Sequence, residues 1–95
     1  MSNCYVIGYD LQDPGQNYDD LTDAIEDYGT WWGHLDSTYI VKTSVSASDI
    51  RDNLHEYLDP NDKLLVAKLS GAWAGSNLGD AADWLYDQMQ SERLP

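Results

Sequence analysis

Asp10 is the first residue whose position suggests chemistry. It follows the apolar run "YVIGY" (5–9), where a strand is expected to end and a loop to begin. Hard divalent cations prefer oxygen ligands, and a bound metal ion can assist hydrolysis. If a twofold axis brought two copies of Asp10 together, the two carboxylates could hold one Mg²⁺ or Mn²⁺. The alternative is a loop residue that stabilises the turn at 13–15 through hydrogen bonds.

His34 and Asp36 form a second candidate pair. They flank Leu35, so their side chains would point to the same side of a strand. Such a pair can bind a metal ion or relay protons. The alternative is a hydrogen bond at the edge of a sheet, without catalytic meaning.

Carboxylates are concentrated on the outer faces of two expected helices. Apolar residues at helical spacing predict a helix over 18–28 that is terminated by Gly29, with Asn17 as its N-cap. A second helix is expected to begin after Ser46 and to end before Pro60. The candidate partner-binding residues on these helices are Asp19, Asp20, Asp23, Glu26, Asp27, Asp49, Asp52 and Glu56.

The remaining segments supply the strands that position these groups. Strands are expected over 3–10, 30–35, 38–43 and 62–71, and a last helix is expected after a cap at Ser76 or Asn77. The order is β-α-β-β-α-β, followed by a C-terminal helix. With right-handed crossovers this order predicts an α+β fold, a ferredoxin-like βαββαβ sandwich with an additional C-terminal helix. We expect one ferredoxin-like domain over residues 1–95.

The adjacent pair Trp31-Trp32 indicates that both faces of the sheet are covered. Neighbouring side chains of a strand point to opposite faces, and two helices cover only one face. A bare face rich in tyrosine and tryptophan is typical of an interface, so we expect a homodimer. The alternative is that the last helix, with Trp73 or Trp84, covers the second face within one chain. The candidate interface residues are Tyr5, Ile7, Tyr9, Trp31, Trp32 and Tyr39.

The charge balance limits the partners. Seventeen acidic residues, fourteen of them aspartate, oppose five basic ones and give a net charge of −12. Direct nucleic-acid binding is disfavoured, because it depends on Lys and Arg displacing counterions from phosphates. Three interpretations of the acidity stay open: solubility or adaptation to high salt, imitation of a phosphate backbone toward a basic protein, and binding of divalent metal ions.

The cellular setting is expected to be the cytoplasm. The single cysteine, Cys4, cannot form an internal disulfide, which suits a reducing compartment. The N-terminus lacks the pattern of a signal peptide, and the apolar runs are too short for a membrane span. We therefore expect no contact with a membrane.

Three segments carry a resemblance to a known family. The stretches "YGTWW", "LDSTYIVKT" and "NDKLLVAKL", together with "YVIGYDL" and the order of elements, resemble the SinR-like small proteins over roughly residues 3–75. These are relatives of the small ferredoxin-fold subunit of the CRISPR spacer-integration complex and of VapD-type toxins. The similarity to the CRISPR subunit rests on the fold order and on Asp10.

The resemblance implies a homodimer built through the sheet faces. It also implies that Asp10 matches the proposed metal ligand of a ribonuclease or deoxyribonuclease. Basic residues that would hold a nucleic acid are scarce, which departs from such an activity; they are Lys42, Arg51, Lys63, Lys68 and Arg93.

Two functions are expected from these observations. The first is a small non-enzymatic interaction module, in its sharpest form a DNA-mimic inhibitor of a nucleic-acid-handling or CRISPR-type defence protein. The alternative is a metal-dependent endoribonuclease that uses Asp10 at a dimer interface, with Mg²⁺ or Mn²⁺ as its cofactor.

Overall fold

The computed structural model describes residues 2–12, 18–71 and 73–89. This part of the chain forms four strands and three helices, which we number in chain order. They are β1 (Asn3–Asp10), α1 (Asp19–Glu26), β2 (Thr30–Leu35), β3 (Thr38–Thr43), α2 (Ala47–His55), β4 (Lys63–Leu69) and α3 (Ala81–Gln88). The expected turn at 13–15 and the expected cap Asn17 lie outside the described residues.

The four strands form one antiparallel sheet in the order β2-β3-β1-β4. The expected α+β class is therefore confirmed. Strand β1 lies between β3 and β4, and its apolar side chains on both faces fit this central position. The bounds of β2 and β3 are those expected from the sequence, and Ser37 turns the chain between them with φ +57°.

Helices α1 and α2 cover one face of the sheet. The odd-numbered residues Tyr5 and Ile7 of β1 point toward these helices, because they belong to one buried cluster with apolar residues of α1 and α2. This larger part of the core consists of Tyr5, Ile7, Leu21, Ile25, Val41, Ile50 and Leu54. Burial of these side chains is the main force that holds the two acidic helices on the sheet.

Helix α3 covers part of the opposite face. Leu85 of this helix and Met89 at its C-cap pack on Cys4, Trp32 and Ile40, whose side chains project from three neighbouring strands. Trp32 is 2% exposed, and its indole Nε1 donates a hydrogen bond to the carbonyl oxygen of Ala81 at 2.8 Å. The second face is therefore covered, at this place, by the chain's own last helix.

Five of the six candidate interface residues lie on the side of α1 and α2, since Trp31 is in register with Val41 and contacts Tyr39; Trp32 lies on the other side. Tyr5 and Ile7 are buried under α1 and α2, and Tyr9 and Tyr39 are half-buried on the same side. Because β1 is apolar on both faces, alternation alone did not show which set of side chains meets the helices. Tyr5 and Ile7 are not available to a second protomer in this fold.

The helix ends follow local rules in two cases and depart from them in one. Ser46 caps α2 by accepting a hydrogen bond from the backbone N–H of Asp49 at 3.2 Å, as expected. Gly29, with φ +94°, ends the turn after α1. Helix α3 begins at Ala81 and not directly after Asn77, because Asn77 takes a left-handed conformation with φ +61°.

Candidate functional site

The carboxylates of α1 and α2 lie on one side of the molecule. Both helices contact the same sheet face and each other, and their apolar stripes point inward. Seven of the eight predicted partner-binding residues are exposed, and Glu26 is half-buried. We call this set the acidic helix surface; it consists of Asp19, Asp20, Asp23, Glu26, Asp27, Asp49, Asp52 and Glu56.

One basic side chain lies among these carboxylates. Residues 18–29 and 46–57 form the two helices and their ends. Arg51 is the single Lys or Arg in these two ranges, and it pairs with Asp52 at 2.9 Å. Both side chains are more than half exposed, so this pair stabilises the fold by little, on the order of 0–1 kcal/mol. The surface therefore keeps a strong excess of negative charge.

Glu26 accepts a hydrogen bond from the sheet. The hydroxyl of Tyr39 donates a hydrogen bond to Oε2 of Glu26 at 2.9 Å. Burial, this hydrogen bond and the negative charge of Glu26 raise the pKa of Tyr39 to about 12. The phenol therefore stays protonated and holds one carboxylate of α1 against β3.

Two aromatic rings flank that of Tyr39, one on the edge strand β2 and one on the central strand β1. The ring of Trp31 lies 5.6 Å from that of Tyr39 at 56°, and the ring of Tyr9 lies 6.4 Å away in a stacked arrangement. A Cβ atom built on Gly33 would lie 2.8 Å from Cε2 of Tyr39, so glycine allows the rings to close over the strand. We call Tyr9, Trp31 and Tyr39 the aromatic edge cluster.

The electrostatic surroundings of the cluster are negative. Burial, and then the charges of Asp36 and Glu26, raise the pKa of Tyr9. Asp23 also contributes to the raised pKa of Tyr39. Carboxylates from α1 and from the β2–β3 turn therefore lie near these rings, a juxtaposition that the sequence did not reveal. One sequence feature could have indicated the ring cluster: Trp31 and Gly33 alternate on β2, so that a large ring and an open position lie on the same face as Tyr39.

Asp10 is exposed at the end of β1, and its Cα is in register with that of Lys63 on β4. The ring of His34 meets that of Trp32 edge-on at 5.1 Å. Among the described residues, no group of three or more His, Cys, Asp or Glu side chains could hold a metal ion.

The α3-side face of the sheet keeps an uncovered part. A groove of about 380 Å³ lies between the sheet and the segment 73–78, with Val6 and Ile40 among its apolar lining residues. Leu35 also lines it and is 51% exposed, and Leu65 on β4 is 66% exposed. Sequence patterns did not predict this groove, because the path of 73–78 depends on tertiary contacts.

Comparisons of the chain with protein-family models, with curated proteins and with solved structures found no match. Within the described residues, no helix is long and apolar enough to cross a membrane.

Proposed function

We propose that the chain is a small ferredoxin-like, non-enzymatic interaction module whose acidic helix surface docks into a basic groove of a nucleic-acid-handling protein. The order of elements and the strand order β2-β3-β1-β4 support the ferredoxin-like arrangement. The observation that carries the function is the gathering of eight carboxylates and one paired arginine on two adjacent helices and their C-caps.

Such a surface resembles the charge of a nucleic-acid backbone. Duplex DNA carries one negative charge per about 1.7 Å of its axis, and basic grooves are built to receive that density. A rigid protein surface with closely spaced carboxylates is attracted to the same groove and competes for it. The position of these carboxylates on helices fixed by a buried core favours binding with little loss of backbone entropy.

The basic residues support a protein partner over a nucleic acid. Arg51 pairs with Asp52, and Nζ of Lys42 donates a hydrogen bond to the carbonyl oxygen of Gln88 at 3.0 Å. Lys63 shares a sheet face with Asp10, whereas Lys68 stands on the opposite face in register with Tyr5. The four basic residues of the described ranges are therefore dispersed and form no stripe for phosphates.

The resemblance to SinR-like proteins and to the CRISPR spacer-integration subunit suggests the class of partner. In its sharpest form, the proposal is an inhibitor that imitates DNA toward a defence protein of the CRISPR type. Self-association and cleavage of nucleic acid through Asp10 stay predictions from the sequence. The uncovered part of the α3-side face, with the groove that Leu35 lines and with exposed Leu65 on β4, is where a second protomer would have to bind.

The test is competition with DNA. A labelled duplex of about 20 base pairs is bound to each of a panel of purified basic DNA-binding proteins, and its displacement is followed by fluorescence anisotropy. The native chain is compared with the triple variant Asp20→Asn, Asp23→Asn, Asp27→Asn. The matched control is Asp80→Asn, Asp83→Asn, Asp87→Asn, which changes the net charge from −12 to −9 in the same way, on and beside α3.

We expect the native chain to displace the duplex from at least one of these proteins. The α1 variant should compete about tenfold more weakly, whereas the α3 variant should stay within about twofold of the native chain. Equal weakening by both variants would mean that only net charge matters. Absence of displacement for the whole panel would refute the proposal.

A further inference from the structure

The aromatic edge cluster continues the acidic helix surface around the side of α1. Its rings come from three adjacent strands, Tyr9 on β1, Tyr39 on β3 and Trp31 on β2, and Glu26 of α1 accepts the hydrogen bond of Tyr39. The hydrogen bond between Tyr39 and Glu26 therefore links the cluster to the acidic helix surface.

The indole of Trp31 in this cluster is partly exposed to solvent and does not belong to the buried core. Trp31 is 39% exposed, in contrast to its neighbour Trp32, which is 2% exposed under α3. The planes of the Trp31 and Tyr39 rings are inclined by 56°, so the two rings are tilted and not stacked face to face. An indole with an accessible face is the best aromatic partner for a cation.

Three carboxylates lie near the two tyrosines of the cluster. Glu26 and Asp23 come from α1, and Asp36 comes from the turn that ends at Ser37, whose carbonyl oxygen accepts from the N–H of Tyr9 at 3.1 Å. A cationic group placed over the indole would thus meet π-electron density and carboxylate acceptors at once.

We infer that the aromatic edge cluster receives an arginine side chain of the basic partner, whose guanidinium stacks on Trp31 beside Glu26. Arginine fits better than lysine, because its planar guanidinium stacks on aromatic faces and presents five donors to neighbouring carboxylates. A lysine ammonium is more strongly hydrated and offers no plane for stacking. The inference rests on the proposed function and names a specific anchor within it.

The experiment uses two labelled peptides, nona-arginine and nona-lysine, titrated with the full chain and followed by fluorescence anisotropy. The variant Trp31→Leu removes the exposed indole. The matched control is Trp73→Leu, which removes an indole from another aromatic pair, since the ring of Trp73 lies 4.9 Å from that of Tyr86. The α1 variant Asp20→Asn, Asp23→Asn, Asp27→Asn is measured in parallel.

We expect the native chain to bind nona-arginine more tightly than nona-lysine. Trp31→Leu should weaken nona-arginine binding by about three- to tenfold and abolish the preference, whereas Trp73→Leu should leave both unchanged. Because stacking is less screened than exposed ion pairs, the loss should persist at high salt. Equal affinities of Trp31→Leu and the native chain for nona-arginine would overturn the inference.

A second measurement does not depend on the variant's folding. In the NMR spectrum of the native chain, nona-arginine should shift the indole N–H signal of Trp31 more than that of Trp73. An undisturbed Trp31 signal at saturation would overturn the inference as well.

The outcomes separate the two proposals. If the α1 variant loses affinity and Trp31→Leu does not, the acidic helix surface stands without the aromatic anchor. If Trp31→Leu loses affinity and the α1 variant does not, the anchor stands and the proposed function fails. If neither variant binds more weakly than the native chain, both proposals fail.

Discussion

At the scale of single residues, Asp62 joins two loops that flank the sheet. Its Oδ1 accepts hydrogen bonds from the N–H of Gln12 at 2.9 Å and from the hydroxyl of Tyr18 at 3.1 Å. Its Oδ2 accepts from the N–H of Asp59 at 2.8 Å. The N–H of Gln12, followed by that of Asp59 and the hydroxyl of Tyr18, lowers the pKa of Asp62 below its ordinary value of 3.8.

This lowered pKa gives a pH dependence with a definite sign. The folded state favours the carboxylate, so the stabilisation is present above pH 3.8 and is lost as the pH falls through the lower folded value. We expect Asp62→Asn to lower the urea midpoint at about pH 7 and to flatten its change toward about pH 3. The control is Asp20→Asn on the exposed face of α1. A native pH profile for Asp62→Asn would contradict the role of these three hydrogen bonds.

Residue patterns indicated that both sheet faces are covered. They did not indicate which side chains of β1 meet α1 and α2. The opposite orientation of Trp31 and Trp32 follows from strand geometry alone, and the structure confirms it. The choice between the set of Tyr5 and Ile7 and the set of Cys4 and Val6 was not predictable. Both sets are apolar, so it is decided by the fit of side chains in three dimensions.

At the scale of elements, α3 is the part whose position the sequence constrained least. A last helix was expected, and it buries Leu85 and, at its C-cap, Met89. Its start was not expected, since the left-handed Asn77 delays the helix to Ala81. By contrast, β2 and β3 were predicted to the residue, because a tight two-residue turn fixes the register of a hairpin.

Helix α3 is held on the sheet by few interactions, and each should therefore matter. Leu85 is 5% exposed and contributes to the cluster around Trp32. We expect Leu85→Ala to destabilise the fold by about 2–4 kcal/mol, because it removes transfer energy and leaves a cavity. Partial release of α3 should also shift the tryptophan fluorescence to longer wavelength. Urea unfolding followed by fluorescence measures both effects.

The control for this helix is Asp87→Ala on its exposed side. It should change stability by no more than about 0.5 kcal/mol, as surface substitutions usually do. If Leu85→Ala behaved like Asp87→Ala, α3 would not be packed on Trp32 in solution.

At the scale of the whole molecule, the excess of negative charge opposes folding. A net charge of −12 on a chain of 95 residues produces self-repulsion in the compact state. Asp23 illustrates the cost, because Asp19 and Asp27 stand four residues away on either side of it. Such like-charge pairs in a helix destabilise it by about 0.2–0.5 kcal/mol each.

Salt should therefore stabilise this protein. The screening length falls from about 10 Å at 0.1 M to about 3 Å at 1 M, which weakens repulsion between exposed carboxylates. We expect the urea midpoint to rise with NaCl over this range.

The free energy of unfolding of the variant Asp20→Asn, Asp23→Asn, Asp27→Asn should increase by about 1 kcal/mol at low salt. Its urea midpoint should rise less with salt, because its like-charge pairs are gone. Asp10→Asn, whose carboxylate stands in register with Lys63, should keep the native salt dependence. If the urea midpoint of the triple variant rose with NaCl as steeply as that of the native chain, repulsion within α1 would not destabilise the fold. Its carboxylates would then be held at no cost to stability.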